Sequence, residues 1–475
     1  MSSSRPSRRL SPAIVVIETP SLGDRSYLAH DGEVAVVVDP QRDVDRVLAV
    51  AEAERVRITH VFETHIHNDY VTGGLALARA TGAHYVVSEG EAVAFERVPA
   101  KDGSTFATGR LVVTALATPG HTQHHLAYAL GTVTAGETGK TGESAGASEP
   151  VAVFTGGSML FGAVGRTDLL GPGLTDELTR AQYHSVRRLA AELPRHVAVH
   201  PTHGFGSFCS ATETSGTSST IGDERRTNVA TTTEDEDAFV ERLVSGLGAY
   251  PRYYAHMGPA NLAGPGAPRL ELPDEVDAAE LRSRVDRGEW VVDLRERRAF
   301  ARRHVTGTIS VELGDLFATF LGWTMTWGTP LTLLGDSAEM VAGAQRELVR
   351  IGIDEIAGHA TGGPDELGGG RVSGYAVATF DELRAVLGKD GVTVLDVRRP
   401  EEWREGHLDG ALYVPFYELE ARVHELPDTE TWVHCAGGFR ASISASILHR
   451  AGHATVLVDD DFTRAGEIGL PLASG

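Results

Sequence analysis

Cysteine is nearly missing from this chain: there are two, Cys209 and Cys435, among 475 residues. That excludes a disulfide framework and fits a reducing compartment, so any chemistry they perform is done as thiols or persulfides. Basic charge is also in deficit. A formal net charge of -22 argues against nucleic acid as a partner, and solubility alone accounts for it. Long apolar runs are missing too. None nears the roughly 18 residues a membrane span needs, and the opening "MSSSRPSRRL" has no apolar signal core. The expectation is a cytoplasmic protein with no membrane partner.

What is present describes a globular chain, 41% hydrophobic and 23% charged, long enough for about three domains at roughly 150 residues each. Short Val- and Ile-rich runs closed by Pro, Gly or Asp ("AIVVIETP", "EVAVVVDP", "RITHVFET", "HYVVSEG", "LVVTALATPG") read as buried strands. Helical runs such as "VDRVLAVAEAE" alternate with them, which is an α/β layer pattern. Two soft stretches interrupt it. Thr134–Pro150 reads as a surface loop, and Ser210–Glu224 as a mobile loop or lid, with disorder as the alternative. Gly and Pro crowding sets the boundaries at 11–256, a linker at 257–273, then 274–362 and 372–475.

The last two segments repeat each other. "ELRSRVDRGEWVVDLRERRAFARRHVTGTI" lies over "ELRAVLGKDGVTVLDVRRPEEWREGHLDGAL", pairing Asp293 with Asp396, Arg295 with Arg398, Phe300 with Trp403 and His304 with His407. Each copy reads as a helix followed by a strand ending Asp-x-Arg, in the manner of a parallel sheet.

In the second copy, "TWVHCAGGFRASISASILHRAGH" reads as a strand, a tight loop and a helix. Gly437 and Gly438 let the backbone curl so that N–H groups face inward, an anion-binding nest beneath a helix N-terminus. Positive potential there favours a Cys435 thiolate, and Arg440 adds a fixed charge. "CAGGFRA", together with "LDVRRPEEWREGHLDGA", resembles the rhodanese sulfurtransferase domain. The resemblance implies that Cys435 carries a persulfide cradled by Ala436, Gly437, Gly438, Phe439 and Arg440. In the first copy Gly335 falls where Cys435 does, so "GDSAEM" replaces "CAGGFR". That copy resembles rhodanese in scaffold only, and a structural or docking role is expected.

Within 11–256, "ETHIHNDYVTGG", "TPGHTQHH", "VGRTDLLGPG" and "HPTHGFGSFCS" each follow a strand-like run, where active-site residues of α/β folds gather. Three His-bearing loops with an Asp loop resemble the metallo-β-lactamase superfamily, an αββα sandwich holding one or two metal ions. In its two-metal hydrolases a second-site His follows the motif's Asp, and here that residue is Tyr70. "GRTD" resembles the persulfide dioxygenases of that superfamily, which hold a single Fe(II) with two His and one Asp. The resemblance implies His65, His121 and Asp168 as ligands and one iron per chain, since such a triad leaves positions open for sulfur and O2. His67, Asp69, Tyr70, Arg166 and His203 then orient ligands or substrate. "GSFCS" resembles a segment of fused dioxygenase–rhodanese proteins, and the resemblance implies that Cys209 lies near the iron as a sulfur relay; the alternative is an inert half-buried thiol.

The fold expected is therefore α/β: a metallo-β-lactamase αββα sandwich followed by two rhodanese-like domains with parallel sheets. The function expected is oxidation of a low-molecular-weight thiol persulfide, such as glutathione persulfide, to sulfite and thiol. Cys435 would pass sulfane sulfur to or from thiosulfate or sulfite, as in sulfide detoxification. The alternatives are a glyoxalase II-like thioester hydrolase with two zinc ions and an accessory rhodanese, and a sulfur carrier that binds no metal. A homodimer is a common state for such folds and stays open.

Overall fold

Val34–Val38 is five apolar residues in a row, and it folds as a strand buried on both faces. Val36 and Val38 turn into one core while Ala35 and Val37 turn into another, the period-2 alternation of a strand between two apolar layers. Fully burying such a side chain contributes about 1.5–3 kcal/mol, so the run has no comparable alternative placement. The computed structural model describes residues 11–133, 149–212, 214 and 216–474. Among them, no helix is long and apolar enough to cross a membrane.

The chain divides into two compact units, the first extending to Leu247 and adding Tyr254–Pro268. Its Val34–Val38 strand belongs to a six-stranded sheet in the order Ala13–Thr19, Asp24–His30, Val34–Val38, Arg57–Phe62, His84–Ser88, Val98–Ala100. The first three strands pair antiparallel and the rest parallel. A second six-stranded sheet is built from Ser219–Thr220, Ala198–Pro201, Ala152–Gly156, Leu126–Thr132, Leu111–Ala117 and Thr105–Thr108. Tyr27, Val36, Phe62 and Val86 of the first sheet meet Val113, Leu126, Tyr128 and Phe154 of the second in one core. Helices Asp45–Glu54 and Gly74–Thr81 cover the outer face of the first sheet, and Thr175–Glu192 with Glu236–Ser245 the outer face of the second. The layer order is αββα.

One of the two soft stretches turns out differently from its composition. The end of the segment read as a lid is folded: Ser219–Thr220 is an edge strand and Ile221–Thr227 a helix, with Thr220 and Asp223 capping each other. The loop expected at Thr134–Pro150 lies, apart from its last two residues, outside the described residues. The linker expected from 257 begins inside a helix, Tyr254–Ala263. Its Asn261 is buried and braces the His-bearing loop, donating to the carbonyls of His67 and Tyr70 at 2.9 Å each and accepting from Thr72 N at 2.9 Å.

The second unit holds Gly248–Tyr253 and the chain from Arg269 onward. It contains a four-stranded parallel sheet, ordered Ile309–Ser310, Trp290–Asp293, Leu331–Gly335, Gly358–Thr361. A five-stranded parallel sheet follows, ordered Leu412–Tyr413, Val392–Asp396, Glu430–His434, Thr455–Val458, Ala376–Ala378. Four strands of the two sheets share one order, as the sequence repeat requires. In both, Asp-x-Arg closes a strand as a buried pin: Arg295 on Asp293 at 2.6 Å and Arg398 on Asp396 at 2.6 Å.

The Asn261 brace is testable. Asn261→Ala leaves two buried carbonyls and one N–H without their partner and should cost about 1–3 kcal/mol, read as a lowered urea midpoint of the metal-free protein.

Candidate metal centre and thiol loop

Four loops leave strand ends on one edge of the sandwich, and Asp39 ties two of them. It follows the Val34–Val38 strand with φ 49°, a left-handed conformation that Asp tolerates better than most residues. Its carboxylate accepts from Thr64 N at 2.7 Å and Thr64 Oγ1 at 2.7 Å, and also from the Thr202 hydroxyl. Burial alone would raise its pKa, but the charge and hydrogen bond of His67 outweigh that and hold it below the usual carboxylate range.

Thr64 carries the arrangement on to His65. A hydroxyl has one proton, and the Asp39 carboxylate can only accept, so Thr64 gives its proton to Asp39 and accepts from His65 Nδ1 at 2.8 Å. That turns the His65 Nε2 lone pair toward the other imidazoles. His121 Nδ1 donates to the Arg166 carbonyl at 2.7 Å, leaving its Nε2 buried with no partner. His203 Nδ1 donates to Asp24 Oδ1 at 2.8 Å and lies 3.1 Å from Asp69 Oδ2, while its Nε2 is 3.3 Å from His65 Nε2. One ligand nitrogen from each of His65, His121 and His203 lies within 4.8 Å of the others. Three buried imidazoles with ring nitrogens turned inward, His121 Nε2 having no partner among the described residues, are a donor set suited to a transition metal ion.

The electrostatics agree with that fit. Burial holds His65 well below its ordinary pKa and His121 down at about 3, so both are neutral donors. Burial opposes charge on His203 as well, but Asp69 and Asp24 together raise its pKa well above the usual imidazole range. Asp24 itself is pushed up to about 7, by burial first and by Asp69 second. Sequence reasoning passed over Asp24, because nothing local in "GDRSYL" marks a residue that meets its His 179 positions later.

Asp168 is not in this cluster. Expected as the third ligand, its carboxylate instead pairs bidentately with Arg166, at 2.7 and 2.8 Å. A guanidinium two residues away is a closer and better-matched partner than imidazoles on other loops. The strand Ala152–Gly156 offers no carboxylate either, since it ends in Gly156-Gly157. A Cβ on Gly157 would come within 2.2 Å of the His121 ring, so the backbone there must be bare.

The remaining expected residues fall behind the cluster. His67 Nε2 lies 3.2 Å from Glu63 Oε2, 3.3 Å from Asp39 Oδ1 and 2.9 Å from the Tyr70 hydroxyl. Burial works against its charge, but Asp39 and Glu63 raise it to about 9. Tyr70 stacks on the His67 ring at 4.2 Å and is fully buried. Asp69, His67 and His203 form a second group of donors, which shares His203 with the first. Cys209 is buried with its thiol toward Asp69; burial and then Asp69 hold it well above the usual thiol range, which suits a hydrogen-bond donor rather than a thiolate. His125, also unmarked at the sequence level, stacks on His65 at 4.9 Å and accepts from Gly157 N at 3.1 Å.

In the second unit, Cys435 directly follows the strand Glu430–His434, and Phe439–Arg450 is a helix. Gly438 takes φ 86°, the left-handed turn that points the loop back under the helix. Arg440 feels the charge of Cys435 but is bound bidentately to Glu402 at 2.5 and 2.7 Å. Its charge is therefore shared, a partner that motif reading did not supply. Strand register supports the gap in the first copy. Asp293 pairs with Leu334 and Asp396 with His434, so Gly335 occupies the Cys435 position. Ser337 there caps the helix Ala338–Arg350, accepting from Met340 N at 3.3 Å.

Comparison with known proteins fits these two sites. Residues 24–135 match the model of the metallo-beta-lactamase superfamily and residues 379–463 that of the rhodanese-like domain. A probable polyketide biosynthesis zinc-dependent hydrolase, BaeB of Bacillus velezensis, is 26% identical over 177 residues, 36% of this chain and 68% of that protein. A hydroxyacylglutathione hydrolase of Rhizobium johnstonii is 37% identical over 106 residues, and the match spans 21% of this chain and only 41% of that protein's length. The solved structure of a metallo-beta-lactamase from Staphylococcus aureus is similar at 27% identity and a TM-score of 0.63, covering 74% of this chain and all of that one. The class is thus a metallo-β-lactamase α/β fold joined to a C-terminal rhodanese-like domain. The buried histidine cluster lies in the first unit, where it could hold a metal ion, and Cys435 lies within the stretch that matches the rhodanese-like domain.

Two outcomes follow from the geometry. Asp24→Ala should weaken metal binding about 10–100-fold, measured by competition with a chelator. In the metal-free protein, the stability contributed by His67 is complete below pH 6.5 and is lost as pH rises through about 9. The melting-temperature gap between the parent and His67→Gln should close over that window.

Proposed function

We propose that the first unit oxidises a low-molecular-weight thiol persulfide, such as glutathione persulfide, using O2 and one Fe(II) per chain. The balance is persulfide plus O2 and water giving thiol and sulfite with two protons. The observation that carries this reading is Tyr70 seated on His67. Its ring and hydroxyl occupy the imidazole that a second metal would need, and His203 cannot serve two ions at once. His65, His121 and His203 would hold the single ion, in place of the set with Asp168. An ion held by these three imidazoles would supply open coordination positions for sulfur and O2. Three neutral imidazoles leave its charge uncompensated, which favours an anionic sulfur ligand over a neutral thioester. Asp24 keeps the His203 proton on Nδ1, and the Arg166 carbonyl does the same for His121.

In the rhodanese-like domain, the Cys435 thiolate attacks the sulfane sulfur of a second persulfide, and the thiol leaves. Sulfite then takes that sulfur from the Cys435 persulfide, which releases thiosulfate and restores the thiolate. Cys209, buried with a raised pKa, serves as a thiol that holds Asp69 and not as a relay.

The names of the similar proteins, a zinc-dependent hydrolase and a hydroxyacylglutathione hydrolase, favour the second reading, the glyoxalase II-like thioester hydrolase, for which two zinc ions are expected. Metal analysis separates the two: one iron per chain supports the dioxygenase, two zinc per chain the hydrolase. Iron-loaded protein should consume O2 with glutathione persulfide, and full iron occupancy without uptake would sink the reading. Cys435→Ser should abolish thiosulfate formation while sulfite still accumulates; an unchanged thiosulfate yield removes Cys435 from the route.

A further inference from the structure

The Cys-less copy has no nucleophile, yet it sends two arginines to the edge of the thiol loop. Arg297 and Arg298 open the short helix Arg297–Arg302 and both bind Asp459 of the rhodanese-like domain. Arg297 Nε donates to Oδ1 at 2.8 Å, Arg298 Nε donates to Oδ2, and Arg298 Nη2 donates to the Asp459 carbonyl at 3.3 Å. In the other copy the matching positions are Pro400 and Glu401, so the pair of charges is not a feature of the shared scaffold.

Asp459 is where it could do harm. Its side chain is 1% exposed and follows the strand Thr455–Val458. Its Oδ1 is so close to Gly438 that a Cβ there would fall 1.9 Å from it. The segment is tied to the loop again by Phe462 N donating to the Ala436 carbonyl at 2.9 Å. A buried carboxylate thus abuts the backbone that must hold an anionic sulfur. Two further ion pairs near the loop close locally, Arg440 against Glu402 and Arg398 against Asp396, and burial lowers the His434 pKa. Among the described residues the cations paired with Asp459 are Arg297 and Arg298, although Arg297 also pairs with Glu312 at 2.9 Å. The Cys-less copy adds an apolar wall as well: Phe320 lies 5.7 Å from Phe439 and 6.0 Å from the Arg440 guanidinium.

We infer that the Cys-less copy is an electrostatic partner of the thiol site, its Arg297 and Arg298 cancelling Asp459 so that the Cys435 loop admits anionic sulfur compounds. Both arginines are positioning residues, acting on the reacting sulfur through Asp459 and the loop. The inference deepens the sulfur-transfer reading and rests on Cys435 as the reactive thiol. Its test does not require transfer to occur.

The readout is the rate of Cys435 alkylation by anionic iodoacetate divided by the rate with neutral iodoacetamide, followed by peptide mass spectrometry on the full chain. A purely structural loss of the loop would change both rates, but an uncancelled charge selects against the anion. In R297Q/R298Q the ratio should fall about tenfold, the size expected for one unscreened charge at the edge of a buried site. Adding Asp459→Asn should restore it, and R297K/R298K should keep it near the parent value. An unchanged ratio in R297Q/R298Q, or a fall that Asp459→Asn does not reverse, overturns the inference. If R297Q/R298Q does not fold, Asp459→Asn alone leaves no buried anion and should raise the ratio; no rise overturns it equally. Loss of thiosulfate formation with these ratios as expected would count against the transfer reading and not against the arginine pair.

Discussion

A carboxylate buried at the end of one strand, Asp39, holds the first unit's functional edge together. It accepts from Thr64 on one loop and Thr202 on another, and lies against His67. Loops of this kind have no sheet to enforce their spacing, so their mutual position depends on such polar ties. Leaving a charge uncompensated in a dry interior costs several kcal/mol, which makes the tie obligatory in the folded state. Through Thr64 the same carboxylate sets which nitrogen of His65 carries the proton, and so which lone pair faces the cluster.

The cluster inherits its character from what surrounds it. His65 and His121 are neutral because they are buried, while His203 is drawn toward charge by two carboxylates. Tyr70 and His67 form a stacked, hydrogen-bonded block beside it. One group of inward-facing donors, His65, His121 and His203, is left clear of that block, while the second group includes the His67 on which Tyr70 is stacked.

In the second unit, a sequence repeat has produced two sheets of the same strand order with different endings. One ends in a Gly-rich turn and a thiol. The other ends at Gly335, with Ser337 used up as a helix cap. What remains of the Cys-less copy is charge and aromatic surface, Arg297, Arg298 and Phe320, directed at its sibling's loop.

Much of this was legible in the chain itself. The strands were readable because apolar alternation is a local property, and the Cys435 loop because its glycines and thiol are contiguous. The copy register followed from the same logic, and strand pairing agrees with it. The donor set was not readable in the same way. His65 and His203 are 138 residues apart and meet only once two sheets have packed. Asp168 looked like a ligand by motif but lies two residues from Arg166, and that local ion pair claims its carboxylate. Asn261 and Asp24 sit in segments whose composition suggests nothing more than a linker and a strand entry. The sequence by itself determined which residue types were on offer and which elements carried them. Only the tertiary structure decided which of them converge, because a buried polar group takes whichever partner the packed interior brings within hydrogen-bond reach.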